Sequence, residues 1–291
     1  MQLFQIRNDE LTVQVDPVGA QLMSVRGKDG TEYLWQGDPR YWKSRAPTLF
    51  PYVGRLTGGQ YRLDGGLYSL PIHGFAPRSD FSVQAQDAQH LTLELTDSEQ
   101  TRACYPFRFR FRVAFALEGA SLTAQYSVEN TDAQEMVFGL GGHPGFNVPL
   151  DTGAFEDWQL RFGAPCSPVR IGFADDYMLS GDDTPFSLEG GTVLPLRHEL
   201  FARDAIVLKD AAPEVTLESR AGGHRVTMSF ADFPYLGIWQ RPDSDAPYVC
   251  LEPWASLPSR SGVVEDLRTQ PTIRHLGAGE TCSLEWRIRV E

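Results

Sequence analysis

Apolar and polar residues alternate with a two-residue period wherever the chain shows a pattern. In residues 11–15 (LTVQV), Leu11, Val13 and Val15 share one face, and Thr12 and Gln14 share the other. Residues 90–96 (HLTLELT) repeat the pattern with Leu91, Leu93 and Leu95. The longest run, FRFRFRVAFAL, sets Phe107, Phe109, Phe111, Val113, Phe115 and Leu117 against Arg108, Arg110 and Arg112. Successive side chains of a strand point to opposite faces, so each run predicts a strand with one buried side. SLTAQYSVEN follows the break Glu118-Gly119-Ala120 and predicts a hairpin partner. QYRLDGGLYSL, with Asp64-Gly65-Gly66 at its centre, predicts a second hairpin. Helical signal is confined to Ser98 to Cys104, capped by Asp97 or Ser98 ahead of Glu99 and stopped before Pro106. The 20 prolines and 27 glycines are spread along the chain, as turns between many short strands require. No linker, composition break or fixed-period repeat divides it. The expectation is an all-β fold: one large, mostly antiparallel β-sandwich domain over residues 1–291.

Three segments break the alternation and mix polar residues with aromatics, glycine and proline. They are residues 47–56 (PTLFPYVGRL), leading on to Ile72-His73-Gly74-Phe75, then 139–149 (GLGGHPGFNVP) and 249–258 (VCLEPWASLP). They read as loops, where a rigid scaffold most often carries functional side chains. His143, between Gly141-Gly142 and Pro144-Gly145, is either a turn histidine bonded to a backbone carbonyl or a proton donor on a stiff loop. Glu252 ends an apolar run, where a bare charge is costly to bury and desolvation raises proton affinity. It is either half of an ion pair or a general base. Arg55 follows Gly54 and His73 precedes Gly74, which suits close approach to a ligand as well as simple turns.

Charge narrows the partners. The 291 residues carry 26 Lys plus Arg against 38 Asp plus Glu, a formal charge of −12. That balance disfavours nucleic acid and anionic membrane as partners. Arg108, Arg110 and Arg112 do not change this, because the phenylalanines between them point to the opposite face. A solvated or salt-bridged strand face is expected there. The opening MQLFQIRNDELTVQV lacks a basic stretch followed by an apolar run, so no signal peptide is expected. No stretch approaches the roughly 18 apolar residues of a membrane span. Cys104, Cys166, Cys250 and Cys282 are far apart with no CxxC pair, which predicts free thiols, no metal and a cytoplasmic protein.

Taken in order, FPYVGRL with Arg55, HGF with His73, GGHPGFNVPL with His143 and CLEPW with Glu252 resemble the aldose 1-epimerase (galactose mutarotase) family, especially its LacX-like branch. The closing HLGAGETCSLEWRI resembles the family's last strands. Any one motif is weak, whereas four in order form a specific signal. The resemblance implies a supersandwich fold and a cofactor-free interconversion of the α and β anomers of a free hexose. It implies Glu252 as general base at the C1 hydroxyl and His143 as general acid at the ring oxygen. Arg55 and His73 match sugar-binding positions, and Asp204, in LFARDAIVLK, matches a hydroxyl-binding aspartate through a shorter motif. Trp254 and Phe146 are candidates to stack on the sugar or to pack in the core. One departure stands out: relatives read HGFAR, and this chain reads HGFAPR, with Pro77 at the Arg position and Arg78 one step later.

Three other readings compete with the free-hexose epimerase. A hexose 6-phosphate epimerase needs extra Arg or Lys beside the site, for which Arg78 and Lys43 are candidates. A silent sugar-binding protein has no use for the Glu252–His143 pair. A glycoside hydrolase needs two carboxylates flanking the bond, and only one carboxylate motif is evident.

Overall fold

A computed structural model describes residues 2–291 and places nearly all of the regular structure in antiparallel sheets. A nine-stranded sheet runs, in spatial order, through Val193–Pro195, Trp158–Phe162, Glu214–Ser219, Arg225–Ser229, Thr281–Val290, Ser121–Asn130, Phe109–Glu118, His90–Thr96 and Ser82–Gln86. An eight-stranded sheet runs through Thr184–Pro185, Val169–Arg170, Ile206–Lys209, Tyr235–Trp239, Tyr248–Trp254, Gly141–Gly142 and Thr48–Leu49, with Gly145–Asn147 also paired to Tyr248–Trp254. Phe4–Arg7, Leu11–Asp16 and Gln21–Gly27 form a three-stranded sheet of their own. The all-β sandwich expected from the alternation is the fold observed.

The alternating runs bury the faces they predict. Leu91, Leu93, Phe109, Phe111, Val113 and Phe115 are all buried in one hydrophobic cluster with Ile206, Ile238 and Leu251 of the second sheet. That shared cluster is what packs the two large sheets together. On the outer face, Arg110 pairs with Glu129 at 2.6 Å and Arg112 with Glu94 at 2.8 Å, the salt-bridged surface anticipated. Phe109–Glu118 and Ser121–Asn130 form a hairpin across Gly119-Ala120. Gln60–Leu63 and Gly66–Ser69 form a second, with Asp64 and Gly65 both at positive φ. The one α-helix among the described residues, Glu99–Cys104, is capped by Ser98, whose side chain accepts from the Thr101 N–H.

The three segments expected as loops each contribute strand residues to the eight-stranded sheet. Thr48–Leu49, Gly141–Gly142, Gly145–Asn147 and Tyr248–Trp254 all belong to the eight-stranded sheet. Every residue of Tyr248–Trp254 is buried. Val249 and Leu251 face the main core, whereas Tyr248 and Cys250 join Trp35, and Trp254 joins Leu49 and Val207, in clusters on the opposite face. A strand apolar on both faces shows no alternation, which is why its sequence does not look like one.

Candidate active site

Strand register creates the central pair. Gly141 lies opposite Trp254 and Gly145 opposite Cys250 in one continuous antiparallel register, so His143 stands directly across from Glu252. The Leu251 N–H donating to the Pro144 carbonyl at 3.1 Å keeps that register through the proline. His143 Nε2 lies 3.3 Å from Glu252 Oε2, with Glu252 1 % exposed and His143 6 %. On the other flank Glu252 faces Gly237, where an added Cβ would stand 3.1 Å from the glutamate's own Cβ. Two residues along the same face, Trp254 donates its indole N–H to Glu252 Oε2 at 3.1 Å. The His143 ring stacks on Trp42 with centroids 4.7 Å apart and meets Trp239 edge-on at 5.6 Å.

Burial dominates the electrostatics. It pushes Glu252 well above the usual carboxylate range, against the Trp254 hydrogen bond, and the charge of Asp204 adds to the rise. Burial also holds His143 well below the usual imidazole range, helped by neighbouring His73. Both shifts favour uncharged partners, with one proton on the carboxyl and the imidazole neutral. His143 Nδ1 is buried with no hydrogen-bond partner, so no carboxylate behind the ring fixes it as imidazolium.

His73 approaches from a tight turn. Its N–H donates to the Gly54 carbonyl at 2.9 Å, and its Nδ1 accepts from the Gly54 N–H at 3.1 Å. That acceptance leaves the ring proton on Nε2, free to donate. Burial first, then the charges of Arg55 and Arg78, lower its pKa to about 3, so the ring stays neutral. Gly74 completes the turn at φ 72°, with the Phe50 carbonyl oxygen 2.3 Å from where a Cβ would be. Asp204, itself at φ 70°, accepts from the Trp239 indole N–H at 2.6 Å. His143, Glu252, His73, Arg55 and Asp204 all line one cavity of about 320 Å³, large enough for a small polar ligand. Trp42, Trp239 and Trp254 supply its aromatic surface.

The profile of the aldose 1-epimerase family matches residues 2–266. The chain belongs to that family. It is 35 % identical over 269 residues to the plasmid and chromosomal LacX proteins of Lactococcus lactis subsp. lactis, covering 87 % of either chain. Among solved structures it is similar to a galactose mutarotase related enzyme from Lactobacillus acidophilus, with TM-score 0.95, 33 % identity and coverage of 100 % of this chain and 97 % of that one. A galactose mutarotase-like protein from Lactobacillus casei superimposes with TM-score 0.93 at 32 % identity, with both chains fully covered.

Within this family member, the five site residues named from motifs converge on the cavity. Trp254 lines it too, whereas Phe146 is fully buried and packs in the core. Pro77 and Arg78 both reach the cavity, so an arginine remains there despite the inserted proline. Lys43 is not among the lining residues. Sequence reasoning missed Trp42, Trp239, Tyr177 and Arg203. The first two sit in ordinary-looking contexts, RYWKS and GIWQR, and only a stretch beside Asp204 hinted at Arg203. Behind the pair, the Cys250 thiol and the donors of His143 and Glu252 lie within 4.8 Å of one another. A cation there needs a thiolate, and burial together with Glu252 pushes the Cys250 thiol well above its usual range. Among the described residues no helix is long and apolar enough to cross a membrane.

Proposed function

We propose that this protein is an aldose 1-epimerase that interconverts the α and β anomers of a free hexose. The observation that carries the reading is the His143–Glu252 pair, 3.3 Å apart on the wall of the cavity. Opening a hemiacetal removes the proton of the C1 hydroxyl and delivers one to the ring oxygen. Both oxygens sit on the same carbon, so donor and acceptor must stand close together, as these two do.

The proton count is simple. The pair holds one proton. With Glu252 ionised and His143 protonated, Glu252 takes the C1 hydroxyl proton while the C1–O5 bond breaks, the carbonyl forms and His143 protonates O5. The pair is then a neutral carboxylic acid beside a neutral imidazole, the charge state that burial favours. Rotation about C1–C2 presents the other face of the aldehyde, and O5 attacks it. His143 recovers its proton from O5, and Glu252 returns its own to the carbonyl oxygen. Nothing is consumed and no cofactor enters. His73 Nε2–H and the Arg55 fork are donors for ring hydroxyls, and Asp204 is an acceptor. The four free cysteines support a place in the reducing cytoplasm.

Polarimetry of freshly dissolved α-glucose and α-galactose tests the reading. Wild type should equilibrate at least one hexose faster than buffer, and Glu252→Gln and His143→Asn should lose most of that rate. Sugar binding without acceleration would instead make this a silent carbohydrate-binding protein. Full activity in both variants would keep the reaction and discard the residue roles.

A further inference from the structure

The proposed reaction starts from a charge state that burial opposes. Glu252 must be ionised and His143 protonated, yet desolvation raises the proton affinity of the carboxyl and lowers that of the imidazole. Turnover therefore needs groups that bring the ion pair back within reach. At the carboxylate end one is the Trp254 indole N–H, which donates to Glu252 Oε2 at 3.1 Å. At the imidazolium end, no hydrogen-bond acceptor plays the matching part among the described residues. His143 Nε2 faces Glu252 at 3.3 Å, but Nδ1 is buried with no partner, so the second N–H of an imidazolium would meet no side-chain acceptor. The titratable neighbours do not help. His73 meets the ring edge-on at 5.5 Å and stays neutral, its pKa lowered to about 3, and any charge on it would repel. The Cys250 thiol lies within 4.8 Å of the pair's donor atoms, and burial with Glu252 pushes it well above its usual range, so it stays uncharged. The charges of Arg55 and Arg78 act on His73, and that of Asp204 acts on Glu252.

What His143 does have is an aromatic face. The Trp42 indole lies on the imidazole with centroids 4.7 Å apart and planes inclined by 26°. Its place is fixed from several sides. The Trp42 N–H donates to the Asp38 carbonyl at 3.0 Å, and the Trp42 carbonyl accepts from the Trp35 indole N–H at 2.8 Å. Trp239 and Tyr248 pack against the ring with centroids 5.5 and 5.9 Å away. Gly145 leaves room for the indole, since a Cβ there would stand 3.2 Å from Trp42 Cζ3. An indole face carries the negative lobe of the ring quadrupole and attracts a cation within about 6 Å of its centroid, more strongly where water is excluded. We propose that Trp42 is a positioning residue for proton transfer, its indole face stabilising the imidazolium of His143 so that the ion-paired state is populated. One tryptophan then serves each partner, Trp254 through its N–H and Trp42 through its ring face. The proposal rests on the epimerase reading above and gives a part in it to a residue outside the reacting pair.

Fluorinated tryptophans provide the test, because ring fluorines withdraw the quadrupole and nearly keep the shape. Analogues with one, two or three fluorines are placed at position 42 alone by nonsense suppression. Exchange NMR at anomeric equilibrium, with glucose and galactose, then gives kcat and KM for each protein. We expect log kcat to fall stepwise with fluorine number, by about tenfold over the series, while KM changes by less than about threefold. A nitrogen-15 NMR titration of His143 without sugar should show its pKa falling by about one unit along the same series. Trp42→Phe keeps a weaker face and should lie between wild type and Trp42→Leu, which keeps only apolar bulk and should lose at least about tenfold in kcat. A kcat indifferent to fluorination beside a rising KM would make Trp42 a platform for the sugar and overturn the proposal. So would Trp42→Leu turning over as fast as wild type, or a His143 titration unchanged along the series. Either result would leave the epimerase standing. No acceleration of any hexose by wild type sinks the epimerase reading and with it the part in proton transfer, whereas the His143 titration still tells an indole that acts on the ring from one that does not.

Discussion

Glu252 and His143 are buried together at the cavity wall, their nearest atoms 3.3 Å apart. Alone, either charge would be costly at that depth. Together they carry one proton between them, and burial sets where it rests. Replacing either with an amide, Glu252→Gln or His143→Asn, should lower kcat by about 10² to 10⁴, the usual worth of a positioned proton-transfer group. Stopped-flow polarimetry would show it. The pH profile follows from the two shifts. Acid adds a second proton to the pair at His143, whose affinity burial has lowered. Alkali removes the only proton from Glu252, whose affinity burial has raised. The kcat/KM should therefore fall on the acid side below the ordinary imidazole value of 6.5 and on the alkaline side well above the ordinary glutamate value of 4.5. An activity midpoint at the ordinary imidazole value would contradict this. Asp204 depends on its indole partner in the same way. Trp239→Phe keeps most of the aromatic surface but removes the N–H, and should raise KM by about three- to tenfold with a smaller effect on kcat.

Among the elements, the strands that were easy to read are those with one wet face. FRFRFRVAFAL announces itself because arginines alternate with phenylalanines, and Phe109–Glu118 follows that pattern. Tyr248–Trp254 is as regular a strand, yet its residues are apolar on both sides apart from Glu252, so it passed for a loop. The glycine-rich 139–149 segment was unreadable for a different reason. Gly141–Gly142 and Gly145–Asn147 are too short to show a period, and only their pairing with a longer strand makes them strands at all. Two substitutions probe these elements by chemical denaturation. Phe111→Ala removes a fully buried ring from the intersheet core and should cost about 3–5 kcal/mol. Gly74→Ala places a Cβ against the Phe50 carbonyl at positive φ. It should cost about 1–3 kcal/mol and weaken sugar binding as His73 shifts.

At the scale of the molecule, one hydrophobic cluster extends from Ile6 to Val290 and contains side chains of both large sheets. Calorimetry is accordingly expected to give one cooperative unfolding transition; two separable transitions would mean independent domains. The thiols provide a second check on burial. Cys250 is fully buried, whereas Cys104, Cys166 and Cys282 are partly accessible. A thiol reagent should leave Cys250 unmodified until the protein unfolds.

By itself the sequence determined the all-β class, the outer faces of the alternating strands and the residue types of the pair that meets in the cavity. Those depend on local period and on motifs of a few residues, and both are written in order along the chain. What only the tertiary structure decided is the company these residues keep. His143 meets Glu252 because two distant strands pair in one register, and Trp42, Trp239, Arg78 and Arg203 join them from four separate segments. Cross-strand neighbours are chosen by the packing of the whole sandwich, so nothing near a residue in the sequence records who will stand opposite it. The same packing buries the pair, raising the proton affinity of Glu252 and lowering that of His143.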